Sequence, residues 1–203
     1  SKITDLGTLW LVPPLATFLL YLYATDLKKR AILGNLIVSL LTAMPVLLVG
    51  VFDVLPAATA ENGDFVKSIL QVILAYSAFA FFTNFIREMV KDAEDVEGDK
   101  SMGYRTLAVV LGVQQLKYII LILVLMLLVV CGFMTVFLLE SDAFSAIYTL
   151  IFIDIPLAIF MYLVITASQP LQFKKASQLI KIVMVTGILS MVVFTLSVKF
   201  QLQ

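Results

Sequence analysis

The fold is decided by the stretch Thr83–Lys100, TNFIREMVKDAEDVEGDK, which directly follows a long apolar run. It holds six of the fourteen acidic residues in the chain. If the stretch is helical, each residue advances about 100° around the axis, and Gly98 is the expected end. One face then carries Asn84, Glu88, Lys91, Asp92, Asp95 and Asp99. A hydrophobic helix is therefore expected to leave the membrane and continue as an acid-rich helix.

Carboxylates on one helical face repel each other. Two of them about 6 Å apart, at an effective dielectric of about 20, cost about 3 kcal/mol. A hard divalent cation relieves this repulsion, and Mg²⁺ typically takes one or two carboxylates together with phosphate oxygens. One interpretation is a Mg²⁺–diphosphate site with phosphate held by Arg87, Lys91 or Lys100. The other is a solvated helix end on which the same cations form salt bridges.

The composition is that of a polytopic membrane protein. Of 203 residues, 62% are hydrophobic and the mean hydropathy is +1.06, against roughly 45–50% apolar residues in soluble domains. The net charge is zero and no basic tail is present, so nothing indicates binding to nucleic acid. The chain has no histidine, which excludes imidazole as a metal ligand, general base or haem ligand. Cys131 is the only cysteine, which excludes an internal disulfide.

Six segments are long enough to cross a bilayer, which needs about 20 residues. We expect one all-α transmembrane domain over residues 1–203, with helices at about 6–24, 33–53, 66–90, 115–139, 144–167 and 178–199. Pro13 and Pro14 predict a kink or offset near the start of the first helix. The third helix is expected to continue into the acidic stretch. The loop 91–114 is long and charged, and loops of this length are usually functional or disordered.

Two polar residues lie within or beside predicted spans. Asp154 precedes Pro156 by two residues, in the fifth segment. An ionisable residue inside a span is a functional candidate, and a buried structural hydrogen bond is an equally good interpretation. Asn35 opens the second segment. It is interpreted either as a helix cap, which the residues alone favour, or as a polar wall of a site.

The distribution of lysine and arginine predicts the orientation. One side of the membrane receives eleven basic residues and the other receives three, Lys2, Lys67 and Lys199. The positive-inside rule makes the first side cytoplasmic. The loops 25–32, 91–114 and 168–177 then face the cytoplasm of a bacterial or archaeal cell, and both ends of the chain lie outside. An external amino terminus without a signal sequence is expected if an odd number of helices precedes this chain.

Two motifs resemble the UbiA-type intramembrane prenyltransferases. The second aspartate-rich motif of that family is matched by Asn84-Phe85-Ile86-Arg87-Glu88-x-x-Lys91-Asp92-x-x-Asp95-x-x-Gly98-Asp99, followed by Gly103-Tyr104-Arg105-Thr106-Leu107 and Gly112. The loop that precedes it in the family is matched by Tyr23, Leu27-Lys28 and Gly34-Asn35-Leu36. The resemblance covers essentially the whole chain, and the motifs are spaced as in the family.

The resemblance implies a bundle of nine transmembrane helices, of which this chain resembles the last six. It implies a prenyl diphosphate held through Mg²⁺, loss of diphosphate to form an allylic cation, and attack by a lipid-like acceptor. By the same resemblance, Asp92, Asp95 and Asp99 would be catalytic and hold Mg²⁺. The diphosphate would be bound by Lys28, Arg87 and Lys91. Asn84, with Tyr23 and Asn35, would face the substrates.

The chain also departs from the family pattern. The first motif, Asn-Asp-x-x-Asp-x-x-x-Asp, has no counterpart before residue 84. Three helices and one metal cluster are therefore expected to be missing from these 203 residues, and this chain alone is expected to be inactive.

Within the family, the residues look most like enzymes that add a geranylgeranyl group to geranylgeranylglyceryl phosphate. Enzymes of quinone, haem O or chlorophyll synthesis remain alternatives. A CDP-alcohol phospholipid synthase lacks support because its Asp-Gly-x-x-Ala-Arg element is absent. A membrane transporter would place its acidic groups near the bilayer midplane, where only Asp154 fits.

Overall fold

A computed structural model of the protein describes residues 11–25, 31–59 and 61–201, and these residues are almost entirely helical. The amino-terminal helices are α1 (Val12–Thr25), α2 (Ala31–Val49, continued by a π-helical segment at Gly50–Val54) and α3 (Gly63–Glu94). The middle of the chain forms α4 (Val96–Ser101), the two-residue strand β1 (Arg105–Thr106) and α5 (Leu107–Leu111). The carboxyl-terminal helices are α6 (Val113–Ser141), α7 (Ala143–Thr149, continued by a π-helical segment at Leu150–Asp154), α8 (Ile155–Thr166) and α9 (Pro170–Gln201).

Five helical stretches in the described part of the chain are long and apolar enough to span a membrane. They are Ile32–Val54, Gly63–Glu94, Val113–Ser141, Ala143–Thr166 and Pro170–Phe200. These spans confirm an all-α polytopic membrane protein. The predicted first span, 6–24, corresponds to α1, whose apolar part is the shorter stretch Pro14–Tyr23. Residues 6–10 lie outside the described residues, so the count of six stays a prediction. The two prolines occupy the first turn of α1, where proline is tolerated.

Contacts divide the chain into two units, Ser1–Phe81 and Phe82–Gln203, and α3 contributes residues to both. In the first unit, the π-helical segment after α2 begins at Gly50, which is buried. A Cβ at this position would lie 3.4 Å from side-chain atoms of Leu70 and Ile73 on α3. The two helices therefore pack in van der Waals contact at Gly50.

The second unit is a packed set of antiparallel helices. At one end, the Lys117 ammonium at the start of α6 donates hydrogen bonds to the carbonyls of Ile165 (3.0 Å) and Ala167 (2.7 Å) at the end of α8. At the other end, Ser197 of α9 donates to Asp142, which lies between α6 and α7 (2.7 Å). The start of α6 and the turn after α8 therefore lie at the same end of this unit. The largest fully buried side chains of its core are Ile86, Met89, Val90, Leu116, Ile120, Val124, Leu157, Phe160, Val164, Phe173, Ile180 and Val183.

Pro156 interrupts the hydrogen bonding of a membrane-spanning helix, and a neighbouring helix compensates for it. Proline has no N–H, so the carbonyl four residues earlier, that of Phe152, loses its helical donor. The Thr186 hydroxyl of α9 donates to this carbonyl at 2.7 Å. Within a span, backbone groups freed in this way need a partner inside the protein. This hydrogen bond thus ties α9 to the π-helical segment that precedes α8.

Three boundaries differ from those predicted by the sequence. The region predicted as the loop 91–114 is largely helical, because it contains α4 and α5. The last helix begins at Pro170 rather than 178, since proline is well suited to the first helical position. Gly98 lies inside α4 and does not end it. The predicted continuation of the third helix into the acidic stretch is confirmed, because α3 extends to Glu94.

Candidate anion- and metal-binding site

The end of α3 has two opposed faces. An apolar stripe at about 60–160°, measured from Asp92, consists of Ile86, Met89, Val90 and Ala93, which are at most 2% exposed. The polar face lies about 180° away on the same geometry. It is not a solvated face along its whole length, because Asn84 is 3% exposed and Glu88 is 7% exposed. Buried polar groups must be paired to be tolerated.

The polar face is organised around the carboxylate of Glu88. The Arg87 Nη1 donates to Glu88 Oε1 at 2.8 Å, and the Lys91 ammonium lies 3.8 Å from Glu88 Oε2. Arg87 Nη1 also lies 3.4 Å from Asn84 Oδ1. One buried carboxylate thus holds two cations side by side. The salt bridges expected of the alternative interpretation are present; the Glu88 carboxylate is buried in them, while the side chains of Arg87 and Lys91 are 22% and 39% exposed.

One donor of Arg87 is unused in this arrangement. Its Nε is shielded from solvent and has no acceptor among the residues that the structure describes. Leaving a buried donor unsatisfied costs about 1–3 kcal/mol, and more for charged groups. A guanidinium presents its donors as a planar fork that matches the oxygens of a phosphate. An oxyanion that reaches Nε would remove this cost.

The acidic residues continue from this group into α4. Asp95 lies between the two helices with φ −98° and ψ 8°. The amides of Asp95 and Asp99 still bond to the carbonyls four residues earlier, at 2.9 Å each, so the helical path is only locally disturbed. The Asp95 side chain is exposed, and those of Asp92 and Asp99 are partly exposed. No three acidic or cysteine side chains within the described ranges are grouped closely enough to hold a metal ion by themselves.

The residues after α4 fix this turn to the rest of the second unit. Gly103 has a φ of 72°, a left-handed conformation that favours glycine. It allows the amides of Gly103 and Tyr104 to bond to the carbonyls of Lys100 (3.1 Å) and Asp99 (2.9 Å), the pattern of a Schellman motif. Thr106 and the two residues after it are buried. The Gly-Tyr-Arg-Thr-Leu motif therefore ends α4 and anchors the turn that carries Asp99.

Comparison with known proteins identifies the family. The profile of the UbiA prenyltransferase family matches residues 3–185 of the chain. This chain belongs to the UbiA prenyltransferase family. It is 33% identical to digeranylgeranylglyceryl phosphate synthase from Sulfurisphaera tokodaii over 76% of this chain and 50% of the relative. The synthase of the same name from Methanosphaera stadtmanae is 30% identical over 87% of this chain and 59% of the relative.

The chain spans about half to three fifths of the length of the curated relatives it matches, 50% and 59% for these two synthases. The corresponding synthase from Korarchaeum cryptofilum is 30% identical over 84% of this chain and 56% of the relative. No solved structure matches the chain. The comparisons therefore confirm the resemblance to UbiA-type enzymes and to the geranylgeranyl-transferring branch in particular.

The UbiA resemblance also points to three residues in the first part of the sequence. Lys28 is outside the described residues. Tyr23 is partly buried near the end of α1. Asn35 is 7% exposed and lies within α2, in its second turn. It is therefore not a helix cap, and that interpretation is wrong. The substrate-binding roles of these three residues stay predictions.

Sequence reasoning placed Glu88 on the polar face but gave it no function. The signal was nevertheless present in the spacing. Glu88 directly follows Arg87 and precedes Lys91 by three residues, a separation at which helical side chains meet. What the sequence did not show is that this carboxylate is buried and therefore committed to the two cations.

Proposed function

We propose that this UbiA-family chain provides the prenyl diphosphate-binding half of a prenyltransferase. The proposed donor is geranylgeranyl diphosphate and the proposed acceptor is geranylgeranylglyceryl phosphate. The donor and acceptor are favoured by the similarity to synthases named for digeranylgeranylglyceryl phosphate. The observation that carries the diphosphate assignment is the group of Asn84, Arg87, Glu88 and Lys91, in which the buried Glu88 carboxylate pairs with two partly exposed cations. It presents two cations, and one of them has a donor without a protein acceptor.

The roles of the side chains follow from their charge. Arg87 would form charge-assisted hydrogen bonds with diphosphate oxygens, and Lys91 would contribute a second positive charge. Both positive charges favour departure of diphosphate, because negative charge builds up on the leaving group. Asn84 lies beside Arg87 and would contact the bound substrate from the same face. Lys28, Tyr23 and Asn35 are proposed as further substrate contacts on the resemblance alone.

The acidic residues fit a magnesium ion that is bound together with the substrate. Carboxylate oxygens are hard ligands, and Mg²⁺ commonly uses one or two of them plus phosphate oxygens. Asp92 and Asp95, with Asp99 in the next turn, would hold the ion. When bound, Mg²⁺ would supply positive charge to the leaving diphosphate.

The proposed reaction exchanges one carbon–oxygen bond for another. The bond between the allylic carbon and diphosphate breaks, and its electron pair leaves with the diphosphate. A hydroxyl oxygen of the acceptor then forms the new bond to that carbon. The hydroxyl proton passes to a carboxylate or to the released diphosphate, since the chain contains no histidine. Apolar surroundings protect the allylic cation from water.

We also propose that this site faces the cytoplasm. The lysines and arginines of the loops 91–114 and 168–177 support this orientation, and Lys117 ties the start of α6 to the turn after α8 at one end of the second unit. In intact cells, a cysteine replacing Lys100 should resist a membrane-impermeant thiol reagent, while one replacing Asn62 should react. The opposite labelling pattern would contradict the orientation.

The main test is metal-dependent turnover in the complete gene product. Replacing Asp92 with Asn, and separately Asp95 with Asn, should each lower Mg²⁺-dependent product formation by at least about 10²-fold, since lost electrostatic contacts in a transition state cost this much. Glu97→Gln is the matched control, because Glu97 is exposed and its predicted direction lies off the polar face. Near-normal turnover in both aspartate variants would refute the metal assignment.

The acceptor is tested with the same preparation. Geranylgeranyl diphosphate is supplied with geranylgeranylglyceryl phosphate, a quinone precursor, haem or a chlorophyll precursor. Product with the glyceryl phosphate is expected. Product with another acceptor alone would move the chain to that branch of the family. Diphosphate release with no acceptor and no metal dependence would contradict a prenyltransferase.

A further inference from the structure

We propose that Glu88, supported by Asn84, is a positioning residue that holds the Arg87 guanidinium in the orientation needed for diphosphate. This inference rests on the proposed function, because it assigns a role within the same site. Glu88 itself does not touch the substrate. It acts through Arg87 and Lys91, and it keeps Lys91 away from a carboxylate that would bind the metal ion.

The contacts of Arg87 are concentrated on one nitrogen. Nη1 lies 2.8 Å from Glu88 Oε1 and 3.4 Å from Asn84 Oδ1. The guanidinium is planar, so fixing Nη1 at two points also restricts the plane in which the other donors lie. Nε is left without an acceptor in the described part of the chain. Glu88 and Asn84 thus occupy one corner of the fork, and its other terminal nitrogen, Nη2, is the donor that an oxyanion oxygen would use.

Glu88 also governs where the positive charges pair. Lys91 precedes Asp95 by four residues, and side chains at that helical spacing readily form ion pairs. Without a carboxylate at position 88, Asp95 becomes an ion-pair partner available to Lys91 at this spacing. Such pairing would neutralise a phosphate-binding cation and occupy a metal ligand together. A buried carboxylate between Arg87 and Lys91 prevents such pairing. An exposed carboxylate would be less effective, because water competes for its contacts.

Binding by the complete gene product tests the idea directly. Mg²⁺-dependent binding of inorganic diphosphate and of geranylgeranyl diphosphate is measured in nanodiscs for the wild type, Glu88→Gln, Arg87→Lys and the double variant. Each single variant should weaken binding about tenfold, because charge-assisted hydrogen bonds typically contribute this much or more. The double variant should bind no more weakly than Arg87→Lys, since residues that act through one another are not additive. Glu97→Gln should bind as the wild type does.

Each outcome distinguishes this inference from the proposed function. If the wild type binds neither probe, the proposed function fails. If the wild type binds and Glu88→Gln binds equally well, or if the two losses add, the positioning role is wrong. Should Glu88→Gln fail to fold, as judged by its thermal melting, Glu88→Asp provides the same test, because it keeps the charge but moves it one methylene away from Arg87. In turnover by the complete gene product, Glu88→Gln should lower kcat/KM for geranylgeranyl diphosphate about tenfold, because Arg87 would contact the diphosphate both when it binds and when it leaves. An equal loss of kcat/KM when Glu88→Gln is added to Arg87→Lys would indicate a structural role that is independent of Arg87.

Discussion

Two buried carboxylates of the second unit, those of Glu88 and Asp154, have different kinds of partner. Near the end of α3, the buried carboxylate of Glu88 meets two cations. Deep in α6 and α7, the carboxylate of Asp154 is equally buried, at 7% exposure. Its contact there is a hydroxyl, that of Thr135, which donates to Oδ2 at 2.7 Å. An apolar groove of about 310 Å³ borders this second site.

The difference in partners indicates a difference in role. Pairing with cations keeps charge in place at the end of α3, and a charged substrate can use it. Pairing with a hydroxyl joins helices without providing charge for a ligand. Thr135 of α6 also lies 2.9 Å from the Thr149 hydroxyl of α7, so the second group links the two helices on either side of Asp142. We therefore interpret the Asp154 group as structural and the Glu88 group as part of the proposed substrate-binding site.

The largest effect on stability is expected at Lys117, a buried cation whose hydrogen-bond partners are neutral carbonyl groups. Its ammonium holds two carbonyls at the end of α8, where a positive charge also interacts favourably with the helix dipole. Lys117→Met should lower the free energy of unfolding by roughly 1–3 kcal/mol, because buried carbonyls lose their donor. Thermal unfolding in detergent measures the change.

Lys175→Met is the matched control, because Lys175 is exposed. Lys117→Arg should restore much of the loss by keeping a charged donor. If Lys117→Met instead leaves stability unchanged and abolishes diphosphate binding, Lys117 belongs to the diphosphate-binding site together with Arg87 and Lys91. The division between structural and substrate-binding charged groups would then be wrong for Lys117.

A smaller effect is expected from breaking the Asp154 group. Thr135→Val should destabilise the protein by about 0.6 kcal/mol, the average for hydrogen bonds between membrane helices. Asp154→Asn should change stability less, because its amide oxygen still accepts from Thr135. Neither variant should alter diphosphate binding. Loss of binding or turnover in Asp154→Asn, with normal folding, would show that the architectural interpretation is wrong.

The helical fold was predictable from hydropathy, because an apolar stretch of about 20 residues has few alternatives to a membrane span. The polar face of Asn84, Glu88 and Lys91 followed from helical periodicity alone. The short helices α4 and α5 were not predicted. Their start and end depend on the local conformation at Asp95 and on the positive φ values of Gly103 and Gly112, which a charged, loop-like composition conceals.

Contacts between residues that are far apart in the chain could not be predicted from the sequence either. Nothing in the sequence around Glu88 distinguishes a buried carboxylate from a solvated one, since burial depends on residues that lie far along the chain. The same holds for Asp154, for which a functional and a structural interpretation were equally good. Thr135 lies nineteen residues before it, and only the packing of α6 against α7 brings them together.

The smallest effect is expected at Asp142, a third carboxylate, which lies outside the spans and again pairs with hydroxyls. Asp142 accepts hydrogen bonds from the Ser145 hydroxyl, from the Ser145 amide (3.2 Å) and from Ser197 (2.7 Å). Desolvation is the largest single influence and acts to raise the pKa of Asp142, but these hydrogen bonds together outweigh it and lower the pKa below its ordinary value. The folded protein therefore binds this proton less readily than the unfolded chain does.

A lowered carboxyl pKa contributes stability above the ordinary aspartate pKa of about 3.9. That contribution is lost as the pH falls through the lower pKa of the folded state. Asp142→Asn should thus melt below the wild type at pH 7, and the difference should shrink as the pH falls from about 5 toward 3. Glu140→Gln is the control, because Glu140 is exposed and belongs to the same turn. A melting difference that stays constant across this range would show that the hydroxyl contacts of Asp142 do not favour its charged form. Hydroxyl pairing would then carry no charge-dependent stability anywhere in this half of the unit, which would sharpen its contrast with Glu88.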